Sequence, residues 1–118
     1  MPGIRVKPWN RVDGPIYSLA TTADGKGNLN ICSYVTPIAM KRKRFIIGVY
    51  KDTKTLANLE ANPIGLLNYM AKDQANHIKL LGKKSGHSTD KIAQLGEKIE
   101  HVGEGLFMLK GAIATLRL

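Results

Sequence analysis

Apolar and polar residues alternate along this chain in runs of strand length rather than helix length. Ile16 to Thr22 reads as a first strand, closed by Asp24-Gly25-Lys26-Gly27-Asn28, a turn whose glycines can take positive φ. The return strand runs from Leu29 to Thr36. Its period of two sends Leu29, Ile31, Ser33 and Val35 to one face and Asn30, Cys32, Tyr34 and Thr36 to the other. That second face is more polar than a dry core tolerates and suits a ligand. Pro37 ends the strand, and the apolar run Phe45-Ile46-Ile47-Gly48-Val49-Tyr50 forms the next, so Lys41-Arg42-Lys43-Arg44 between them predicts a solvated hairpin tip. Leu56, Leu59 and the nearby alanines predict one to two turns of helix with an apolar side, stopped by Pro63.

Ile64 to Met70 reads as a fourth strand, Asp73 to Leu81 as weakly helical, and Gly82 to Ser88 as a loop. Thr89-Asp90 caps a short helix from Lys91 to Leu95. Leu106 to Leu118 reads as one long strand bent at Gly111, with an apolar edge that needs covering. Residues 1–13 form an irregular lead-in with Trp9 as its one large anchor. Many strands, short turns and few brief helices predict a single domain over residues 1–118, a small β-barrel decorated by helices.

The candidate chemistry lies between the strand 45–50 and the helix that follows. Lys51-Asp52-Thr53-Lys54-Thr55 occupies a strand-to-helix turn, where the first helical N–H groups lack intrahelical partners. Free N–H donors, the positive end of the helix dipole, two hydroxyls and lysine ammonium groups together make a phosphate seat. The competing reading is that Thr53 or Thr55 only caps the helix while the lysines sit in solvent, and caps are the commoner use of such residues.

Charge sharpens this picture. The chain carries 18 basic against 9 acidic residues, a formal +9, which attracts polyanions such as nucleic acid, an anionic membrane or a phosphorylated cofactor. The basic residues are scattered apart from Lys41–Arg44, and the seven aromatics offer little surface for stacking bases, so nucleic acid is the minor reading. No run approaches the roughly 18 apolar residues of a membrane span, and no signal peptide opens the chain, which argues for a cytoplasmic protein. The single Cys32 excludes an internal disulfide and, mid-strand, reads as a small buried thiol. His77, His87 and His101 lack the spacing of a metal site. The aspartates fall at turns, and no catalytic constellation stands out, so chemistry would come from a cofactor.

Several segments carry a family resemblance. Asn30-Ile31-Cys32-Ser33-Tyr34-Val35-Thr36-Pro37, a strand, and then Lys51-Asp52-Thr53-Lys54-Thr55-Leu56-Ala57-Asn58-Leu59 resemble the flavin reductase-like family with the FMN-binding split-barrel fold. Asn68 in Leu67-Asn68-Tyr69-Met70 matches an asparagine inside the family's next strand, and Ser85-Gly86-His87-Ser88-Thr89-Asp90-Lys91-Ile92 is similar to its serine-glycine loop and acid–lysine helix start. Lys54-Thr55-Leu56-Ala57-Asn58 is also similar to a turn of the small FMN-binding electron carriers of that fold. The resemblance implies a mainly β split barrel with a few short helices. It places the flavin ring against Asn30, Ile31, Cys32, Ser33, Tyr34 and Thr36, and the phosphate at Lys51, Thr53, Lys54 and Thr55.

It further implies FMN, with FAD also accommodated at the same phosphate seat, NAD(P)H as electron donor, and a homodimer with the cofactor near the subunit interface. The family's chain continues past the Gly111-Ala112 strand into closing strands with a Gly-Asp-His-type motif, whereas this sequence stops at Leu118. The expected function is a flavin reductase-like oxidoreductase, moving electrons from NAD(P)H through flavin to a flavin, ferric or protein acceptor. A non-enzymatic FMN electron carrier of the same fold and a small basic nucleic-acid-binding barrel are the alternatives.

Overall fold

A computed structural model describes residues 14–118; the lead-in and Trp9 lie outside the described residues. Strands β1 (Tyr17–Ala23) and β2 (Lys26–Cys32) form an antiparallel hairpin with Ala23 opposite Lys26. Two residues, Asp24 (φ 52°) and Gly25 (φ 74°), make its turn. Positive φ at both central positions matches the right-handed twist of the strands, which is why an Asp-Gly pair sits there.

The return strand is shorter than its polarity pattern suggests. It leaves the sheet after Cys32, because β1 begins opposite at Tyr17, shortly after Pro15, which has no N–H to donate. The chain then builds a separate ribbon from β3 (Val35–Pro37) and β4 (Phe45–Ile47). The basic run is its tip, closed by the Ile38 N–H on the Arg44 carbonyl at 2.9 Å. Gly48 to Tyr50 continue outside the ladder.

Helix α1 (Lys54–Ala61) starts at Thr53 and ends before Pro63, as expected. Its buried side chains are Thr55 and Asn58 rather than the leucines, a departure from the expected apolar side. The sheet face it covers explains this. Thr21 and Asn28 are buried there, and Asn58 Nδ2 donates to Thr21 Oγ1 at 3.1 Å while Asn28 Nδ2 reaches Thr55 Oγ1 at 3.4 Å. The two hydrogen bonds offset part of the cost of burying these polar groups, while Asn58 Oδ1 has no hydrogen-bond partner among the described residues.

Strand β5 (Gly65–Tyr69) joins the other side of β1. A 3₁₀ segment (Lys72–His77) leads into α2 (Ile78–Lys83), and Asp90 caps α3 (Lys91–Leu95), its carboxylate accepting the Ala93 N–H at 3.0 Å. The last stretch departs most from expectation. Strand β6 (Ile99–Gly103) pairs with β7 (Leu106–Leu109), and β8 (Ala114–Arg117) joins β5 in a different sheet. Gly111 at φ 88° and the turn closed by Ala112 N–H on Leu109 O redirect the chain, so the single bent strand is in fact two. Leu106 and Leu109 are core residues here, not an apolar edge; of this stretch, β8 lies at the outer edge of the main sheet.

The main sheet has the order β2-β1-β5-β8 and separates two apolar clusters. Ala20, Leu29 and Leu66 pack with Leu81, Leu95, Leu106, Phe107 and Leu109 on the side of α2, α3 and the β6–β7 hairpin. Tyr17, Leu19, Cys32 and Leu67 form the smaller cluster opposite. Gly27 lies flat against the Phe107 ring, which a Cβ there would overlap. Asn68 is fully buried and its Oδ1 accepts the Leu109 N–H at 3.3 Å, joining β5 to β7. The molecule is mainly β with few short helices, as expected, and its sheets are split rather than closed into one barrel among the described residues.

Candidate functional site

Because β2 is an outer strand, the side of its backbone turned away from β1 has no neighbouring strand. A cleft of about 630 Å³ opens along that edge. Its other walls are the turn into α1 and the loop from α2 to α3. A second cleft of about 560 Å³ adjoins it, sharing Asn28, Lys54 and Gly86 and running on to His87, Thr89 and Phe107. Volumes of this size are typical of small-molecule sites.

The turn into α1 is built around Thr53. Its Oγ1 accepts the Leu56 N–H at 3.2 Å and donates to the Tyr50 carbonyl at 2.8 Å. The hydroxyl of Thr53 is therefore spent on capping, in line with the commoner use of such a residue. What the cap leaves outside the helix's own ladder are the N–H groups of Lys54 and Thr55, at the positive end of the helix. Thr55 Oγ1 accepts from Asn28, so its own O–H is left to give. The opposite wall contributes Lys83 and Lys84 from the end of α2, and Gly86. Gly86 sits so close that a Cβ would overlap Asn28 Oδ1 and stand 2.7 Å from Lys54 Cβ. Only a residue without a side chain lets this loop close against the β2 edge and α1 at once.

Lys91, at the start of α3, lines the same cleft although it is 3% exposed. Its Nζ donates to the Leu81 carbonyl at 3.0 Å, and burial pushes its pKa down to about 8. Burial likewise pushes the Cys32 thiol up. Tyr34 and Tyr50 close the far end of the cleft as an edge-to-face pair, ring centroids 6.0 Å apart. The charged residues lining the cleft are Lys54, Lys83, Lys84 and Lys91 against Asp52, so the site favours an anion.

Of the residues singled out from sequence, Asn30, Ile31, Ser33, Tyr34, Thr53, Lys54 and Thr55 come together around this cleft. Cys32 lines a smaller adjoining cavity of about 50 Å³ with Asn30, Ser33 and Thr55. Thr36, paired with Ile46 in the β3–β4 ribbon, and the exposed Lys51 line neither. The expectation of one polar strand face is corrected in a particular way: the cleft opens on the edge of β2, so Asn30 and Ile31 from opposite faces both border it. Asn28, Tyr50, Lys83, Lys84 and Lys91 were missed. Asn28 was hidden in turn composition, and nothing in the hydropathy of the 91–95 helix marks its first lysine as buried. Among the described residues no group of three or more His, Cys, Asp or Glu could hold a metal, and no helix is long and apolar enough to cross a membrane.

An edge strand offering backbone groups, a helix N-terminus with two free N–H groups and a ring of lysines fit a planar, hydrogen-bonding ligand that carries a phosphate. FMN is such a ligand. The split sheets agree with the family match. Residues 9–118 match the profile of the flavin reductase like domain, and the chain belongs to that family.

Solved structures share the fold. Flavoredoxin from Methanosarcina acetivorans superposes with a TM-score of 0.76 at 21% identity, over 98% of this chain and 63% of that one. An FMN-binding protein from Thermus thermophilus, solved with p-hydroxybenzaldehyde bound, gives 0.81 at 18% identity over 100% and 63%. The FMN-binding domain of a flavin reductases-like enzyme from Shewanella baltica gives 0.78 at 19% identity over 88% and 56%. This chain thus spans less than two thirds of the length of these relatives. No curated protein matches it in sequence.

Proposed function

We propose that this chain holds FMN in the cleft beside β2 and serves as a flavin reductase-like oxidoreductase, taking electrons from NAD(P)H and passing them to a flavin, ferric or protein acceptor. The observation that carries the reading is the convergence of the open β2 edge, the α1 N-terminus and the lysines of the 82–91 segment on one cleft. When bound, the flavin supplies the hydride- and electron-accepting ring, and the chain's residues bind and orient it. Lys54, the Lys54 and Thr55 N–H groups and the Thr55 hydroxyl take the phosphate. The backbone of Asn30 to Tyr34 meets the ring, with Tyr34 and Tyr50 limiting its access to water. Thr53 keeps the turn in shape and touches no ligand.

The adjoining cleft leaves room for the adenylate of FAD, so the released cofactor is to be identified by mass. Exposed Ile38, Met40 and Ile46 on the β3–β4 ribbon support a homodimer, which light scattering reads directly. An absorbance scan of the purified protein, loaded with FMN if colourless, tests flavin binding. Stopped-flow bleaching by NADH or NADPH then separates a reductase from an FMN electron carrier. Lys54→Ala is expected to weaken FMN about ten- to a hundredfold, the value of a charge-assisted hydrogen bond, and riboflavin far less. Equal losses for both ligands would remove Lys54 from the phosphate site.

A further inference from the structure

The tip of the β3–β4 ribbon carries the densest run of charge in the chain, and the cleft does not use it. Lys41-Arg42-Lys43-Arg44 are consecutive cations, and no acidic residue falls anywhere in residues 25–51. Residues 1–13 add a single acid, Asp13, against Arg5, Lys7 and Arg11, and so are themselves net basic. Every residue from 38 to 44 is exposed, and among the described residues the ribbon pairs with no other strand.

Apolar side chains stand beside this charge. Thr36 lies opposite Ile46, and the Ile38 N–H bond to the Arg44 carbonyl carries the register one step on, so Ile46, Ile38 and Arg44 share the outer face. The inner face rests on the core through Val35 and Ile47. Met40, fully exposed, sits at the turn just before the first lysine. The surface that takes this tip must be anionic and must also accept an apolar side chain. A nucleic-acid backbone supplies the charge and little apolar area. A stable protein contact takes roughly 20–30 residues a side, far more than the tip offers. A second copy would set the basic run against itself, because a two-fold contact uses the same patch twice. A bilayer with acidic headgroups meets both demands through a small projecting tip.

We propose that residues 40–44 dock this protein on an anionic lipid bilayer, Met40 entering the headgroup region and the four cations lying against acidic headgroups. This surface is apart from the cleft, and its role stands whether or not the cleft takes a flavin. Ile38 and Ile46, farther back on the ribbon, remain open to a second copy, and a dimer whose two tips reach one bilayer binds it more tightly than a monomer.

Sedimentation with vesicles of about one third phosphatidylserine in phosphatidylcholine, at about 0.1 M salt, reads the partition constant. Wild type is expected to favour these over pure phosphatidylcholine by about a hundredfold or more, each cation near such a surface being worth about fivefold. The variant carrying Lys41→Gln, Arg42→Gln, Lys43→Gln and Arg44→Gln should lose that preference. Lys41→Gln and Lys43→Gln alone should each lose about fivefold, which keeps the test open were the fourfold variant to unfold. A comparison variant, with Lys72→Gln, Lys79→Gln, Lys98→Gln and Lys110→Gln at exposed positions elsewhere, changes net charge equally and should lose little. Met40→Ser should lose about fivefold through the apolar area it withdraws. Equal losses in the two fourfold variants would assign binding to net charge alone. Full partitioning of Met40→Ser would keep the tip out of the lipid. Either result, or failure of the wild-type protein to bind the anionic vesicles, overturns the proposal and leaves the flavin reading untouched.

Discussion

Gly86→Ala puts the geometry of the cleft under direct strain. The new methyl would overlap Asn28 Oδ1 and crowd Lys54 Cβ at 2.7 Å, closer than real Cβ contacts come. Neither neighbour yields easily. Asn28 is 3% exposed and donates to Thr55, and the Lys54 Cβ is fixed to the first turn of α1. The loop must therefore back away by roughly an ångström, or the pair must break. Overpacking of this kind costs about 1–3 kcal/mol, and for a domain of this length each kcal/mol lowers Tm by roughly 3–6 °C.

Retreat of the loop also carries Lys83, Lys84 and Lys91 away from Lys54, so FMN affinity is expected to fall more than riboflavin affinity. The assay is a thermal melt paired with titrations of both flavins. Adding Asn28→Ala relieves the tighter contact, and the double variant should lose less than the sum of the singles. Unchanged Tm and FMN affinity in Gly86→Ala would mean that the 82–90 loop is not seated against β2, and the reasoning about the cleft wall would fall with it.

Thr53→Ala removes the α1 cap and is expected to cost about 1 kcal/mol in a denaturant melt, with FMN binding weakened only as the turn frays. The buried Cys32 thiol, its pKa raised, should react slowly with alkylating reagents in the native protein and fast in denaturant; rapid native labelling would contradict its burial. Lys91 makes stability rise with pH. Its pKa is about 8 folded against 10.5 for the ordinary side chain, so between these values the unfolded chain binds more protons. Denaturant melts of the ligand-free protein should gain about 1–2 kcal/mol from about pH 8 to 9.5, a gain absent in Lys91→Gln.

Where local chemistry decided the structure, the sequence was readable. Asp24-Gly25 at a two-residue hairpin, Thr53 before α1 and Asp90 before α3 each act within a few residues of themselves, and all three sit where their side chains dictate. The errors arose where a distant partner decided. Glu100, His101 and Val102 have no apolar period because β6 is exposed, and only its pairing with β7 makes it a strand. Thr55 and Asn58 face inward because Thr21 and Asn28, far away in the chain, receive them. Of the site, the α1 turn and the 30–34 segment were legible as motifs. The lysines opposite were not, since their place depends on how the 82–90 loop folds back over an edge strand.

The order of strands in the main sheet also bears on how the molecule assembles. The β1–β2 hairpin closes through a two-residue turn, a local event on the microsecond scale, whereas β5 and β8 must arrive from far along the chain. The edge that borders the cleft thus belongs to the pairing formed most readily, and the opposite wall, the 82–91 segment, is added once α2 and α3 dock. A ligand spanning both walls finds its full set of contacts only after that docking. It should therefore slow unfolding strongly and leave the folding rate almost unchanged, protecting the native protein by prolonging its lifetime.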